Sequence, residues 1–167
     1  MGVGALGHHH VRILRDLPGI RFGGFFEADT ARAATVAAEL GVVAHASLDA
    51  LLREVDAVTC VVPTLLHHAV GMQVLRAGKH LFIEKPIAAT IEEADALVHE
   101  AAARGLVLQV GHVERFNRAV RAALPYIDRP LFVQSDRLAP YTPRGADVAV
   151  VLDLMIHDID LVASLVG

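Results

Sequence analysis

Short apolar runs alternate along this chain with longer stretches whose apolar residues recur every three or four positions. That alternation predicts strands and helices taking turns around a parallel sheet. The expected strands are residues 20–27, 57–62, 80–83 and 107–110, with a weaker one at 42–43. Each is short, apolar and bounded by turn residues, as strands buried on both faces are. A first helix starts near Leu6. Val11, Ile13 and Leu14 continue His8, His9 and His10 into an amphipathic stretch, so the three histidines read as native sequence.

The other helices carry their own start and stop signals. Asp29 is suited to cap Thr30–Leu40, which Gly41 stops. Ser47 is expected to cap residues 48–55, with Leu51 and Leu52 on the buried side. Thr64 begins a helix ending at Ala77 and Gly78. Thr90 caps another that runs to Gly105, and Glu93 three residues on completes a capping box. After Asn117 the character changes. Residues 119–127 read as helix, 130–135 as strand, 139–147 as a loop containing Pro and Gly, and 148–166 as a last helix.

Composition narrows the class. The chain is 54% apolar and 20% charged, the balance of a globular core, and 167 residues fit one domain or one domain with part of a second. A formal charge of −4 creates no basic field, so nucleic acid is not an expected partner. Cys60 is the single cysteine and sits in an apolar run, where a buried, inert thiol is expected rather than a disulfide. No apolar run approaches the ~20 residues that span a bilayer, and no basic segment leads into an apolar one at the start. The expected location is the cytoplasm, without membrane contact.

Four groups of residues carry candidate chemistry. The first is Gly2-Val3-Gly4-Ala5-Leu6-Gly7, a G-x-G-x-x-G. Such glycines allow a tight turn, close approach of backbone to a pyrophosphate, and close helix packing. The helix that follows aims free N–H groups at phosphate. Alone the pattern is weak; Glu27, at the end of the next expected strand, strengthens it. An acid there can accept hydrogen bonds from both ribose hydroxyls of NAD and would repel the 2′-phosphate of NADP. The competing reading of Glu27 is a solvated acid at a strand end, and Asp29 reads only as a helix cap. This combination predicts an α/β, Rossmann-type doubly wound parallel sheet over residues 1–120. The start of a second α/β domain is expected over 121–167. Such a fold places a buried strand before its glycine loop, where only Met1 stands here, and one strand with one helix cannot bury a second core. Both ends are therefore expected to be truncated.

The second group is Pro63-Thr64 with His67 and His68, where a strand ends and a helix begins, on the sheet edge that binds ligands. Thr64 also reads as a plain N-cap, and one histidine as solvent-facing. The third is Glu84-Lys85-Pro86, at the end of the strand over 80–83. A strand-end Glu-Lys is commonly a surface pair, yet a lysine on this edge can hydrogen-bond a reacting oxygen. The fourth is Asp153, His157 and Asp160. Asp153 and His157 are four apart and share a helical face, with Asp160 further along it and Asp158 pointing elsewhere. A histidine oriented by a carboxylate is a competent general base near neutral pH. Two other readings stay open. His157-Asp158 with neighbouring acids is compatible with a metal-dependent hydrolase, although that leaves the glycine loop and Glu84-Lys85-Pro86 unexplained. A non-catalytic dinucleotide-binding module is the other.

Taken in order, the glycine loop, Glu27, Pro63-Thr64 with His67, Ala77-Gly78-Lys79-His80 leading into Glu84-Lys85-Pro86, Gly111-His112, and Asp153 with His157 and Asp160 resemble the Gfo/Idh/MocA family of oxidoreductases. The resemblance implies an NAD-binding Rossmann domain and a C-terminal α/β domain whose sheet holds substrate and forms homo-oligomers. It implies that Lys85 polarises the reacting hydroxyl or carbonyl, that His157 takes the proton, and that Asp153 orients substrate and histidine. Gly2, Gly4, Ala5, Leu6, Gly7, Glu27, Pro63, Thr64, His67, Glu84, Lys85 and His112 would line the cofactor, with no metal required. The segments from Gly111 to Asn117 and from Val151 to Asp158 resemble the branch acting on nucleotide sugars, of the UDP-N-acetylglucosamine 3-dehydrogenase type. A small sugar or nucleotide-sugar substrate is therefore expected.

Overall fold

Three of the apolar runs pair side by side in the computed structural model, which describes residues 1–138 and 150–166. They form a parallel sheet in the order β1 (Ala57–Cys60), β2 (His80–Ile83), β3 (Leu108–Val110). Cys60 pairs with Ile83, and Ile83 with Val110. Parallel neighbours need long crossovers; α4 (His67–Arg76) and α5 (Ile91–Ala103) supply them. Val58, Cys60, Leu81 and Ile83 alternate onto the face covered by Val74, Leu75, Leu97 and Ala101, and all eight are buried. The chain divides into two units, Met1–Val110, which holds this sheet, and Gly111–Gly167.

A second cluster in the first unit, Val3, Val11, Phe25, Ala33 and Val36, joins α1 (Ala5–Asp16) to α2 (Thr30–Leu40). The expected caps form. Asp29 accepts from the Ala31 and Arg32 amides at 3.0 Å each, and Ser47 from Ala50 at 3.1 Å, opening α3 (Leu48–Glu54). Thr90 accepts from Glu93 at 3.3 Å, while Glu93 reaches back to the Ala89 amide at 3.2 Å. These bonds satisfy amides that a helix start leaves without partners.

Several expectations are corrected. The strand over 20–27 shrinks to one parallel bridge, Phe25 with Ala44, made by Phe25 N–H to Val43 C=O and His45 N–H to Phe25 C=O. Gly24 adopts φ +106°, outside strand geometry, and interrupts the ladder. Residues 42–43 form no strand, and the bridge falls on Ala44 just after them. β1 stops at Cys60, and the Val61 amide turns to the Met1 carbonyl (2.9 Å), while the Met1 amine donates to the Thr59 carbonyl (2.6 Å). Residues 64–66 form a 3-10 turn before α4, so Thr64 lies inside a turn and its side chain caps neither element.

In the second unit a 3-10 turn, Val113–Phe116, leads to α6 (Arg118–Ala123), capped by Asn117. α6 gives way to a 3-10 turn, Leu124–Tyr126, where Pro125 has no amide to continue the α-helical ladder. Residues 130–135 do not form a strand. A strand needs a hydrogen-bonded neighbour, which is missing among the described residues, and Leu131 and Phe132 are exposed. The expected loop at 139–147, and residues 148–149 of the last helix, lie outside the described residues. The rest of that helix is a π-helical turn, Val151–Met155, followed by α7 (Ile156–Val166). Among the described residues no helix is long and apolar enough to cross a membrane.

Candidate active site

The glycine loop is a turn that only small residues permit. A Cβ on Gly7 would stand 1.9 Å from the Gly2 carbonyl oxygen, and one on Gly2, at φ +75°, 2.7 Å from the Val61 carbonyl oxygen. Neither contact can relax cheaply, because both partners are backbone. Gly4 differs: a Cβ there would find its nearest neighbour, Arg32, at 3.9 Å. The fold leaves the space above Gly4 open. Ala5, Leu6 and Gly7 form the first turn of α1, whose opening amides have no partner within the helix.

Glu27 reaches this loop. One carboxylate oxygen accepts from the Val3 amide at 2.7 Å and the other from the Asp29 amide at 3.1 Å. An ionised carboxylate has about four acceptor positions, so two main-chain bonds leave it able to accept from a pair of hydroxyls. Glycine turn and acid are thereby one unit, which spacing suggested and hydrogen bonding achieves.

Pro63 and Thr64 follow β1, and the Glu84-Lys85-Pro86 turn follows β2, with a cis peptide between Lys85 and Pro86. His67, from α4, ties these turns together. Its ring is 1% exposed, with Nδ1 2.8 Å from the Pro86 carbonyl and Nε2 2.9 Å from the Val62 carbonyl. Both ring nitrogens are engaged with main chain, so His67 shapes the edge from beneath. His68 is half-buried. Glu84 is also buried, and its carboxylate lies 3.2 Å from His10 Nε2 and accepts from the Lys85 amide at 3.3 Å. His10 escaped the sequence reading. Its position on the same helical side as Gly7 and Val11, both buried, was the signal available.

In the second unit His112 opens the Val113–Phe116 turn, and Asp153 and His157 lie half-buried on the last helix. Asp160 is buried and accepts two hydrogen bonds from Arg115, at 2.7 and 2.6 Å, with His112 Nδ1 at 3.8 Å. The hydrogen bonds from Arg115 hold the Asp160 carboxyl below the usual carboxylate range. Asp158 accepts two hydrogen bonds from Arg137, at 2.8 and 2.9 Å, which hold its carboxyl low. The acids beside His157 on α7 are thus each paired to a guanidinium. Among the described residues no group of three or more His, Cys, Asp or Glu side chains is arranged to hold a metal ion. Neither arginine was singled out from sequence, because each lies far along the chain from its acid.

Comparisons with known proteins identify the family and the fold. Residues 1–112 match the family described as the Gfo/Idh/MocA oxidoreductase family, NAD-binding Rossmann fold. Over 172 residues the chain is 44% identical to UDP-N-acetylglucosamine 3-dehydrogenase of Acidithiobacillus ferrooxidans, covering 100% of this chain and 53% of that protein. The solved structure of that enzyme superposes with a TM-score of 0.92, over 99% of this chain and 55% of that one. Inositol 2-dehydrogenase 2 of Saccharopolyspora erythraea is 35% identical, over 100% of this chain and 52% of that protein. The chain therefore spans about half the length of the curated relatives it matches. It is a member of the Gfo/Idh/MocA oxidoreductases, built on their NAD-binding Rossmann fold.

Proposed function

We propose that this chain belongs to an NAD-dependent dehydrogenase that moves hydride between a sugar or nucleotide-sugar hydroxyl and a nicotinamide cofactor. The observation carrying this reading is the bond from the Val3 amide to Glu27, which sets an acid against the glycine turn. Gly2, Gly4, Ala5, Leu6 and Gly7 would hold the pyrophosphate, with the open space above Gly4 accepting it. Glu27 would accept from the ribose hydroxyls and disfavour a 2′-phosphate, which selects NAD over NADP. Pro63, Thr64, Glu84 and His112 would line the remainder, with His67 supporting the turns beneath.

When bound, the nicotinamide supplies the hydride acceptor. Lys85 donates a hydrogen bond to the reacting oxygen, His157 takes the hydroxyl proton as general base, and Asp153 orients histidine and substrate. The 44% identity to a UDP-N-acetylglucosamine 3-dehydrogenase supports a nucleotide-sugar substrate. The whole protein is read as a cytoplasmic homo-oligomer that needs no metal. Replacing Lys85 by alanine in the intact protein tests the chemistry. Turnover of UDP-N-acetylglucosamine with NAD should fall at least a hundredfold while NADH affinity, read by fluorescence, stays within threefold. Retained turnover would remove Lys85 from the mechanism, and a non-catalytic binding module would be the better reading.

A further inference from the structure

The residues on either side of Lys85 are each engaged by a histidine, from two different helices: His10 at the Glu84 side chain and His67 at the Pro86 carbonyl. On one side is Glu84, a carboxylate 8% exposed, which is costly to bury without a partner. His10 Nε2 approaches it at 3.2 Å, and the imidazole packs against Phe82 with ring centroids 5.8 Å apart. On the other side is Pro86, whose carbonyl meets His67 Nδ1 at 2.8 Å. His67 belongs to α4 and shares its other nitrogen with Val62, at the turn after β1. His10 belongs to α1, one turn beyond Gly7 on its inner side.

We propose that His10 is a positioning residue: through Glu84 it sets where the Lys85 ammonium stands, and so links the helix that follows the glycine loop to the lysine. This rests on the reading of Lys85 given above. α1 begins at the glycine loop, so a cofactor seated there orders the same helix that carries His10. Glu84 passes the constraint on, because its second carboxylate oxygen accepts from the Lys85 amide. A displacement of about 1 Å at a reacting group can cost a hundredfold in rate, so a residue remote from substrate can act strongly on turnover. His10 has no part in holding the pyrophosphate in this scheme.

The test uses the intact protein with His10→Ala, His10→Gln and Lys85→Ala. The first readout is chemical. Lys79 and Lys85 are the only lysines of this chain, so limited acetylation followed by peptide mass spectrometry gives the Lys85 rate with Lys79 as internal reference. His10→Ala should change the Lys85:Lys79 ratio at least threefold and weaken the protection that NAD gives Lys85. His10→Gln, whose amide can still donate to Glu84, should restore both. The second readout is kinetic, with UDP-N-acetylglucosamine and NAD. His10→Ala should lower kcat about tenfold with NADH affinity within threefold, and His10→Gln should recover most of that loss. An unchanged labelling ratio in His10→Ala overturns the proposal, as does a loss confined to NADH affinity or a His10→Gln variant as impaired as His10→Ala. If Lys85→Ala alone stays active, the reading of Lys85 falls. If Lys85→Ala is inactive and His10→Ala is normal, only the role of His10 falls.

Discussion

Arg115 and Asp160 meet through two parallel hydrogen bonds, Nε to Oδ2 at 2.7 Å and Nη2 to Oδ1 at 2.6 Å. The pair fastens the turn after β3 to α7, the helix that carries His157. Planar guanidinium and carboxylate match in this two-pronged geometry, which fixes orientation as well as distance. The acid is buried while the arginine is half exposed, so the structural consequence of losing the pair falls mainly on Asp160.

Asp160→Asn keeps the shape and removes the charge. Losing a charge-assisted pair of this kind should lower the stability of the second unit by about 1–3 kcal/mol. Amide hydrogen exchange along α7 is the measurement, and protection equal to that of the unsubstituted protein would show that the pair does not hold the helix.

The pH dependence has a definite sign. Hydrogen bonds from Arg115 and Arg137 hold Asp160 and Asp158 below the ordinary carboxylate range. Depressed carboxyl groups contribute stability that is complete above the unfolded value, about 3.9, and fades as pH falls through the lower folded values. Helicity of the second unit should therefore decline below about pH 4, and Arg115→Leu should reduce the difference in α7 exchange between pH 7 and pH 3. An acid response unaltered by that substitution would contradict the assignment.

The glycines separate folding from ligand binding. Gly7→Ala forces a Cβ against the Gly2 carbonyl and should disrupt the loop, lowering thermal stability along with cofactor affinity. Gly4→Ala meets nothing closer than 3.9 Å, so stability should shift by no more than about 0.5 kcal/mol. NADH affinity should nevertheless drop at least tenfold if the pyrophosphate approaches there. Undiminished affinity in Gly4→Ala would move the phosphate site elsewhere.

Glu27→Ala removes both a tether on Val3 and the proposed ribose acceptor. Hydrogen bonds to charged groups contribute about 1.5–3 kcal/mol, so NAD affinity in the intact protein should fall roughly ten- to a hundredfold. NADP should lose less, narrowing the preference. Equal losses for both coenzymes would make Glu27 a purely structural acid.

Cys60 has no exposed surface, and burial pushes its thiol above the ordinary value. The thiolate is the reactive form, so labelling by a thiol reagent at pH 8 should proceed only as fast as the first unit unfolds. Rapid labelling of the folded protein would mean that the sheet opens locally at β1.

Much of this was legible beforehand, and the exceptions have physical causes. Asp29, Ser47 and Thr90 cap the helices they precede, because capping is a contact between residues two or three apart. The strands over 57–62, 80–83 and 107–110 formed with small changes at their ends. The apolar run at 20–27 did not, since Gly24 takes a backbone angle that a ladder cannot follow. Residues 130–135 have strand composition without a partner strand among the described residues. The site divides in the same way. Spacing pointed to the glycine loop and Glu27 as a pair, but not to the bond that joins them. His67 was recognisable as part of the edge, yet its burial between two carbonyls came from the meeting of α4 with the turn after β2.

Local order in the chain determined the alternating α/β pattern, the helix starts, and the inventory of chemical groups at strand ends, because each depends on neighbours a few residues away. Tertiary structure alone decided which of those groups touch: His10 with Glu84, Arg115 with Asp160, Arg137 with Asp158. Contacts between residues so far apart are set by how helices seat on a sheet and on one another, and no periodicity along the chain encodes that distance.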